Sequence, residues 1–488
     1  MFSEQSSVNS YKGIRVTILG LGTFGGGAAA ARFLAERGAA VTLTDLRNEE
    51  QLQQALAEVD DVSFEAVHLG GHPYEAFERA DMIVVNPAVK PDSDVIQRCR
   101  DSGAAIISEI ELFLKHNAAS VVAVTGSNGK STTAALTQQL LASHLKERGS
   151  NAWLGGNIGN SLLPCVAEIH KNDVVVLELS SFQLHYLAST KFSPRVAVVT
   201  NFAANHLDWH PSLDHYRISK QQILRHQTRE DFAILPNDLE DNEIDGGMSL
   251  SPWRVRGQRL QFGGSDQGED GAFWEDGSLI LRRGRFEDAV RMDAPATLPG
   301  VHNRHNITAA ACAAWCLGAD PAEFANVLTN YKGLPHRLQL VAPVVSDEVS
   351  NDRGIRFYND SLATTPESAV AALTSFSQPC VIIAGGSDKG VDLSAMAETI
   401  HQRACGAVLI GATAHELQRQ LEGLSSSQQG PVVRIADDFE NAFSLAVEVA
   451  PQGSIVLLSP GCASYGWFKD FRERGERFTQ LAQQWLQK

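Results

Sequence analysis

The sequence predicts an α/β protein of three domains: a Rossmann-like N-terminal domain, a P-loop mononucleotide-binding central domain and a Rossmann-like C-terminal domain. Three observations predict it. At 488 residues the chain is too long for one hydrophobic core, and roughly three domains is the ordinary outcome. Short β-branched apolar runs alternate with helix-forming runs along the chain, the pattern of βαβ units. Polar, Gly-rich turns follow those apolar runs at 20–25, 126–129, 385–390 and 459–466, where parallel α/β sheets collect ligands.

Composition narrows the class. The chain is 43% hydrophobic and 20% charged, as an ordinary globular protein is, and its formal net charge of −16 argues against nucleic acid as a partner. An acidic protein that handles phosphate needs local cations and metal ions. Seven scattered cysteines predict a reducing compartment and a cytoplasmic location. Cys312 and Cys316, four apart in an Ala-rich run, read as core packing. No apolar run approaches the ~18 residues of a membrane span. Residues 1–10 are polar, lack the apolar segment of a signal peptide and read as a frayed tail.

In the N-terminal domain, residues 14–20 form a strand and Gly20-Leu-Gly-Thr-Phe-Gly25 a turn. A helix at 26–37 and a strand at 41–44 follow, with Asp45 at the strand's tip. This is a βαβ nucleotide fingerprint with an acidic residue about 20 positions on. On pattern alone, NAD(P), another nucleotide and a purely structural turn all fit. A strand at 82–86, a helix at 94–102 and a strand at 104–108 complete a domain of residues 1–117.

The central domain, 118–335, opens with a buried strand at 121–124 and the turn Gly126-Ser-Asn-Gly129. A helix-forming run then starts at Lys130-Ser-Thr-Thr133. A strand feeding such a turn gathers backbone N–H groups and a helix N-terminus around one point, which suits phosphate. Lys130 supplies a mobile charge and the Ser131 hydroxyl suits Mg²⁺. The loop is short: Val124 stands where a longer phosphate loop has its first Gly. Gly155-Gly-Asn-Ile-Gly159 is a turn in which Asn157 can face a ligand. The apolar strand 174–178 ends in Glu178, suited to Mg²⁺ at the sheet's C-terminal edge. Another strand, 197–201, leads to His206-Leu-Asp-Trp-His210. Two histidines four apart hint at zinc, but there is no H-E-x-x-H and the segment reads as a Pro-flanked loop, so a phosphate-side or Mg²⁺-side role is expected for His206. A helix at 216–224 carries Lys220, taken alone a surface lysine. Residues 237–290 read as hairpins and loops on the rim, with a strand at 278–281. Gly300-Val-His-Asn-Arg-His-Asn306 opens a helix at 307–317, so Asn303 and Asn306 share its first turn, one as a cap.

Gly333-Leu-Pro-His-Arg337 reads as a hinge into the C-terminal domain, 336–488. There the strand 356–358 ends in Asn359-Asp-Ser361 and a helix follows at 365–372. The strand 381–384 ends in Gly385-Gly-Ser-Asp-Lys-Gly390, and another strand lies at 407–410. The strand 454–458 ends in Ser459-Pro-Gly-Cys-Ala-Ser-Tyr-Gly466, and a structural helix closes the chain at 470–487.

Taken together, Thr125–Thr133, Gly155–Gly159, Glu178–Leu184, Asn205–Asp208, Tyr216–Lys220, Gly300–Asn306, Gly333–Arg337, Asn359–Ser361, Leu458–Ser464 and Phe468–Phe471 resemble, in order, motifs of the bacterial Mur ligase family. These are ADP-forming amide ligases of peptidoglycan precursor synthesis. The resemblance spans about residues 14–480 and is nearest the branch that joins D-glutamate to UDP-N-acetylmuramoyl-L-alanine.

The resemblance implies site residues. Gly126, Ser127, Asn128, Gly129, Lys130, Ser131 and Thr132 would hold ATP, with Asn303, Asn306, Arg337 and Asp360 also around the nucleotide. Mg²⁺ would lie among Ser131, Glu178, His206 and Lys220. Lys130, His206 and Lys220 would be catalytic, Lys220 as a carbamylated lysine whose side chain changes sign. Thr23, Asp45 and Arg47 would hold the UDP end, and Asn157 and Ser180 the muramoyl-alanine portion. Thr364, Lys389, Ser464 and Phe471 would form the pocket of the incoming amino acid. Closure about the hinge near Arg337 and a monomeric state are expected. There are departures: Leu362 replaces a family lysine in Asp360-Ser-Leu-Ala-Thr-Thr365, Asn86-Pro-Ala88 replaces an S-P-G turn, and Asn205 replaces an acidic residue. A same-fold ligase using another acceptor or amino acid, such as L-glutamate, and a nicotinamide oxidoreductase built on Gly20–Gly25 and Asp45 are the competing readings.

Overall fold

The computed structural model describes residues 10–487 except 23–24, 160, 208, 240–242, 245–247, 250–252, 265–267, 292–297, 299, 342–352, 389–390 and 425–429. The chain divides into two compact units, residues 1–292 with 305–328, and residues 293–304 with 329–488.

The first unit carries two main sheets. β1 (Arg15–Leu19), β2 (Ala40–Asp45), β3 (Ala66–Leu69), β4 (Met82–Val85) and β5 (Ala105–Ser108) lie in the order β3-β2-β1-β4-β5, all parallel. The apolar runs of β1 and β4 are buried, as strands covered by helices on both faces must be. The order reverses between β1 and β4, so the residues that follow them, Gly20–Gly22 and Asn86, emerge side by side at a topological switch point.

The second sheet is built from β6 (Ser120–Thr125), β7 (Ala152–Gly156), β8 (Val174–Glu178), β9 (Val196–Val199) and β10 (Phe232–Pro236). A small hairpin, β11 (Glu243–Ile244) with β12 (Met248–Ser249), is separate. Next come β13 (Gln258–Gly263), β14 (Gly271–Glu275), β15 (Ser278–Arg283) and β16 (Phe286–Arg291), giving the order β16-β15-β14-β13-β10-β9-β6-β8-β7. The segment expected to form rim hairpins therefore does more than that. β13 pairs parallel to β10 and extends the sheet, and only β14–β16 form an antiparallel meander. One apolar core runs through both sheets of this unit. Ile110, Leu112 and Phe113 of the Glu109–His116 helix share it with Leu162, Leu163 and Val166.

The second unit holds β17 (Gln339–Leu340), β18 (Arg356–Asn359), β19 (Cys380–Gly385), β20 (Ala404–Ile410), β21 (Val432–Ile435) and β22 (Ile455–Leu458), in the order β17-β18-β22-β19-β20-β21. Only β17 is antiparallel to its neighbour. Apolar clusters cover both faces of this sheet. Among the described residues no helix is long and apolar enough to cross a membrane.

Candidate active site

β6 lies between β8 and β9, with Val124 opposite Glu178 and Thr125 opposite Val199. The turn at 126–129, the carboxylate of Glu178 and the turn at 200–206 therefore leave the sheet together at one edge. The helix Lys130–Lys146 follows directly, with Gly129 as N-cap in the left-handed region at φ +79°. A side chain at Gly129 would also run into Asn306 Oδ1, and one at Gly126 into Thr200 Oγ1. Both glycines are dictated by the close packing of the loop.

Two lysines converge on this loop. Lys130 Nζ donates to the carbonyls of Gly126 (3.1 Å) and Ser127 (2.9 Å), and Lys220 Nζ donates to the same Gly126 oxygen at 2.6 Å. Lys220 is 1% exposed, on the helix Leu213–Arg225. Burial, and then the charge of Lys130, push its pKa well below the ordinary lysine value, with Glu178 pulling the other way. An amine so placed is readily neutral, and a neutral lysine amine is a nucleophile.

Glu178 is 2% exposed. Its Oε1 accepts from Asn157 Nδ2 at 3.0 Å, while Oε2 is buried with no hydrogen-bond partner. A buried carboxylate oxygen left without a donor carries a desolvation cost. A hard cation such as Mg²⁺ removes it, so the donor set fits that ion. His206 lies near this edge at φ +56°, its ring against Phe182 and Tyr216. In the segment expected as loop, Trp209 N and His210 N both bond His206 O. His210 itself bridges Ser181 and His215, and burial with the neighbouring histidines holds it neutral, down to about 3. Among the described residues no group of three potential ligands forms a zinc site.

Sequence reasoning missed what holds the loop. Asn201 Oδ1 accepts from both Ser127 N and Asn128 N. Ser127 Oγ bonds the Ala203 backbone and meets the Tyr216 hydroxyl. The signal available was a Thr-Asn pair at the end of an apolar strand. Asn303 and Asn306 correct an expectation. The helix begins at Val301, six residues earlier than expected, so both lie inside it and neither caps it. The Asn306 side chain finds a tertiary partner, accepting from Thr133 Oγ1 at 3.3 Å, and such partners override the weak helix propensity of Asn.

At the first sheet, Gly25 caps the helix Gly26–Glu36 at φ +78°. Asp45 is buried and already satisfied: Oδ2 accepts from Leu21 N and Arg47 Nη2, and Oδ1 from Arg47 N and Nε. Burial pushes Asp45 up, but the hydrogen bonds and charge of Arg47 outweigh it and hold the carboxyl below the ordinary range. Asp45 thus fixes the turn and orients Arg47. Thr23 lies outside the described residues. Ser180 caps the helix Ser181–Tyr186 in a capping box with Gln183, which occupies its hydroxyl and N–H.

In the second unit the three polar loops do meet at one sheet edge, because β18, β22 and β19 are adjacent and parallel. Asp360 is fully buried, with Oδ1 accepting from Leu338 N, Oδ2 from Ser459 Oγ, and Arg337 Nη1 at 3.9 Å. Ser361 Oγ donates to the carbonyl of Phe471, which opens the helix Phe471–Leu486 behind the cap Asp470. Arg474, another residue the sequence did not disclose, is 1% exposed and donates to Ser361 Oγ, Ser361 O and Cys462 O. Burial pulls its pKa down to about 10. Ser464 is buried in the β22 loop and Thr364 half-buried beyond Ser361, whereas Lys389 lies outside the described residues.

Burial raises the Asp360 pKa to about 6, against the opposing pull of Arg337 and its hydrogen bonds. The folded value exceeds the unfolded one, so the native state binds the extra proton and this group's contribution falls as pH rises through that interval. Relative to Asp360→Asn, the wild-type chain should lose about 2 kcal/mol of stability between about pH 4.5 and pH 7. Denaturant midpoints of the two proteins at both pH values measure this, and parallel pH profiles would refute it.

Sequence comparison fits these three sheets to one family. Residues 14–108 match the Mur ligase MurD-like N-terminal domain, residues 124–314 the Mur ligase middle domain, and residues 318–462 the Mur ligase glutamate ligase domain. The chain belongs to the Mur ligase family. This Mur ligase is 37% identical over 481 residues to the UDP-N-acetylmuramoylalanine–D-glutamate ligase of Roseiflexus sp. (strain RS-1), across 96% of this chain and 98% of that one. It is 35% identical over 464 residues to the enzyme of the same name from Trichlorobacter lovleyi, across 95% and 97%. Among solved structures it shares the fold of the UDP-N-acetylmuramate-alanine ligase of Thermotoga maritima (TM-score 0.59, 18% identity, 96% and 99% covered). The MurF ligase of that organism, solved with ADP, has the same fold (TM-score 0.55, 17% identity, 99% of each chain covered).

Proposed function

We propose that this Mur ligase joins D-glutamate to UDP-N-acetylmuramoyl-L-alanine with ATP, releasing ADP and phosphate, in three domains bounded at 117/118 and 335/336. It acts as a cytoplasmic monomer. The observation that carries the reading is the convergence of Lys130 and Lys220 on the Gly126 carbonyl, beside a buried Glu178 with one oxygen unpaired. That is the outline of a phosphoryl-transfer centre, which works by positioning and charge neutralisation.

The muramoyl-alanine carboxylate attacks the γ-phosphate of ATP, giving an acyl phosphate and ADP. The amine of D-glutamate then attacks the acyl carbon; the C–N bond forms, the acyl C–O bond breaks with its electron pair going to the departing phosphate, and the amine gives up a proton. Lys130 offsets negative charge on the outer phosphates, and Gly126–Thr132 with Asn306 lie around the nucleotide, to which the resemblance also assigns Asn303, Arg337 and Asp360. Ser131, Glu178, His206 and Lys220 as its carbamate would hold Mg²⁺, which when bound neutralises phosphate charge. The carbamate converts a buried, readily neutral amine into an anion and relieves the two-lysine conflict at Gly126. Arg47, set by Asp45, and Thr23 bind the UDP end; Asn157 and Ser180 lie along the muramoyl-alanine. Thr364, Lys389, Ser464 and Phe471 take the amino acid.

Equilibrium binding tests this against the nicotinamide reading. The chain should bind the UDP-linked substrate and leave NADH unbound. Tight NADH binding without UDP-substrate binding would overturn the assignment of Gly20–Gly25.

A further inference from the structure

Two amides of the phosphate loop are turned toward the protein. Ser127 N and Asn128 N donate to Asn201 Oδ1 at 3.0 and 2.8 Å, and Ser127 N also approaches Asn201 O at 3.2 Å. Thr200 Oγ1 donates to Asn128 O at 2.5 Å, so the 200–201 turn grips the loop from three sides. This proximity follows from register: Thr125 lies opposite Val199, and the residues after each strand emerge together.

Both neighbours of that side-chain oxygen are N–H donors, so the Asn201 amide can be seated only one way. Its Nδ2 then carries two N–H donors on the far side of the same planar group. Nδ2 has no hydrogen-bond partner among the described residues, and Asn201 is half-buried. The side chain accepts two donors from the loop and presents two of its own beside it. The Lys130 ammonium is held by carbonyls of the same turn, those of Gly126 and Ser127.

We infer that Asn201 Nδ2 donates directly to an outer-phosphate oxygen of the nucleotide, replacing the two loop amides that its own oxygen occupies. The inference rests on the loop being the ATP-phosphate site. Asn201 is then both the brace of the loop and a contact to the phosphoryl group that is transferred.

The two roles separate by substitution. Asn201→Asp keeps an acceptor for both loop amides, keeps the side-chain size and removes the donor. Its thermal midpoint should stay close to wild type. Its affinity for a non-hydrolysable ATP analogue should fall at least about tenfold, the scale of one hydrogen bond to a charged group, while its ADP affinity falls less. Asn201→Ala adds no charge, so it should lose the same preference for the ATP analogue over ADP, and it should be less heat-stable than Asn201→Asp because the brace is gone. Calorimetric titration of both nucleotides against all three proteins reads this out. If Asn201→Asp binds the ATP analogue as wild type does, Asn201 is a brace only and the inference fails. If wild type binds neither nucleotide, the phosphate-loop reading fails and this one falls with it.

Discussion

Lys220→Ala should lose turnover by at least about a hundredfold, the scale set by removing one preorganised charge-stabilising group, and should regain part of it when short carboxylic acids are added. Lys220 is enclosed at 1% exposure and shares the Gly126 carbonyl with Lys130, at 2.6 and 3.1 Å. Two ammonium groups on one oxygen, one of them fully enclosed, are an unfavourable arrangement, and burial with the charge of Lys130 pushes Lys220 toward its neutral form. Carbamylation of that neutral amine replaces a like-charge conflict with an attractive pair. The alanine variant leaves a space that a small carboxylate fits by size and charge, so rescue should depend on acid length, with longer acids ineffective. Steady-state rates of wild type and variant with formate, acetate and butyrate provide the check. Full activity without added acid would exclude the carbamate, and loss that no acid restores would leave Lys220 as a packing residue.

Lys130→Ala should remove turnover by about a thousandfold or more, as loss of a cation on a transferring phosphoryl group does, while the fold persists. In the structure its ammonium is held by two carbonyls of its own loop, 3.1 and 2.9 Å away. It is therefore stationed over the turn and needs only to exchange those acceptors for phosphate oxygens. It lies at the first position of its helix, outside the apolar cluster of the first unit, so truncation should barely alter the core. Far-UV circular dichroism and thermal midpoints should match wild type. Affinity for the UDP-linked substrate should also be unchanged, because Lys130 is not assigned to that end. Wild-type turnover in this variant would remove the phosphate loop from the mechanism.

Residues whose placement depends on a local pattern were legible in the sequence. Lys130 follows a Gly turn after an apolar strand, Glu178 ends another such strand, and the loops after β18, β19 and β22 were expected to share an edge; strand adjacency brings them there. Residues whose role depends on distant partners were not legible. Asn201 reaches a loop more than 70 positions earlier, and Arg474 ties Ser361 from a helix 113 positions later, with no spacing rule to point at either. Asn303 and Asn306 were misjudged for a related reason. Asn favours caps when only its own backbone competes for its side chain, but Thr133 supplies a partner for Asn306 inside the helix. Ser180, assigned to the substrate by resemblance, also caps a helix, a role that Gln183 three residues on announces.

The most direct measurement of the central claim is phosphate release by the wild-type chain with ATP, Mg²⁺ and UDP-N-acetylmuramoyl-L-alanine, run against a panel of D- and L-amino acids. Release should require the UDP-linked substrate and D-glutamate together and match the new amide one to one, with L-glutamate and the other amino acids near background. Equal release with the UDP-linked substrate or the amino acid omitted, or a preference for an amino acid other than D-glutamate, would contradict it.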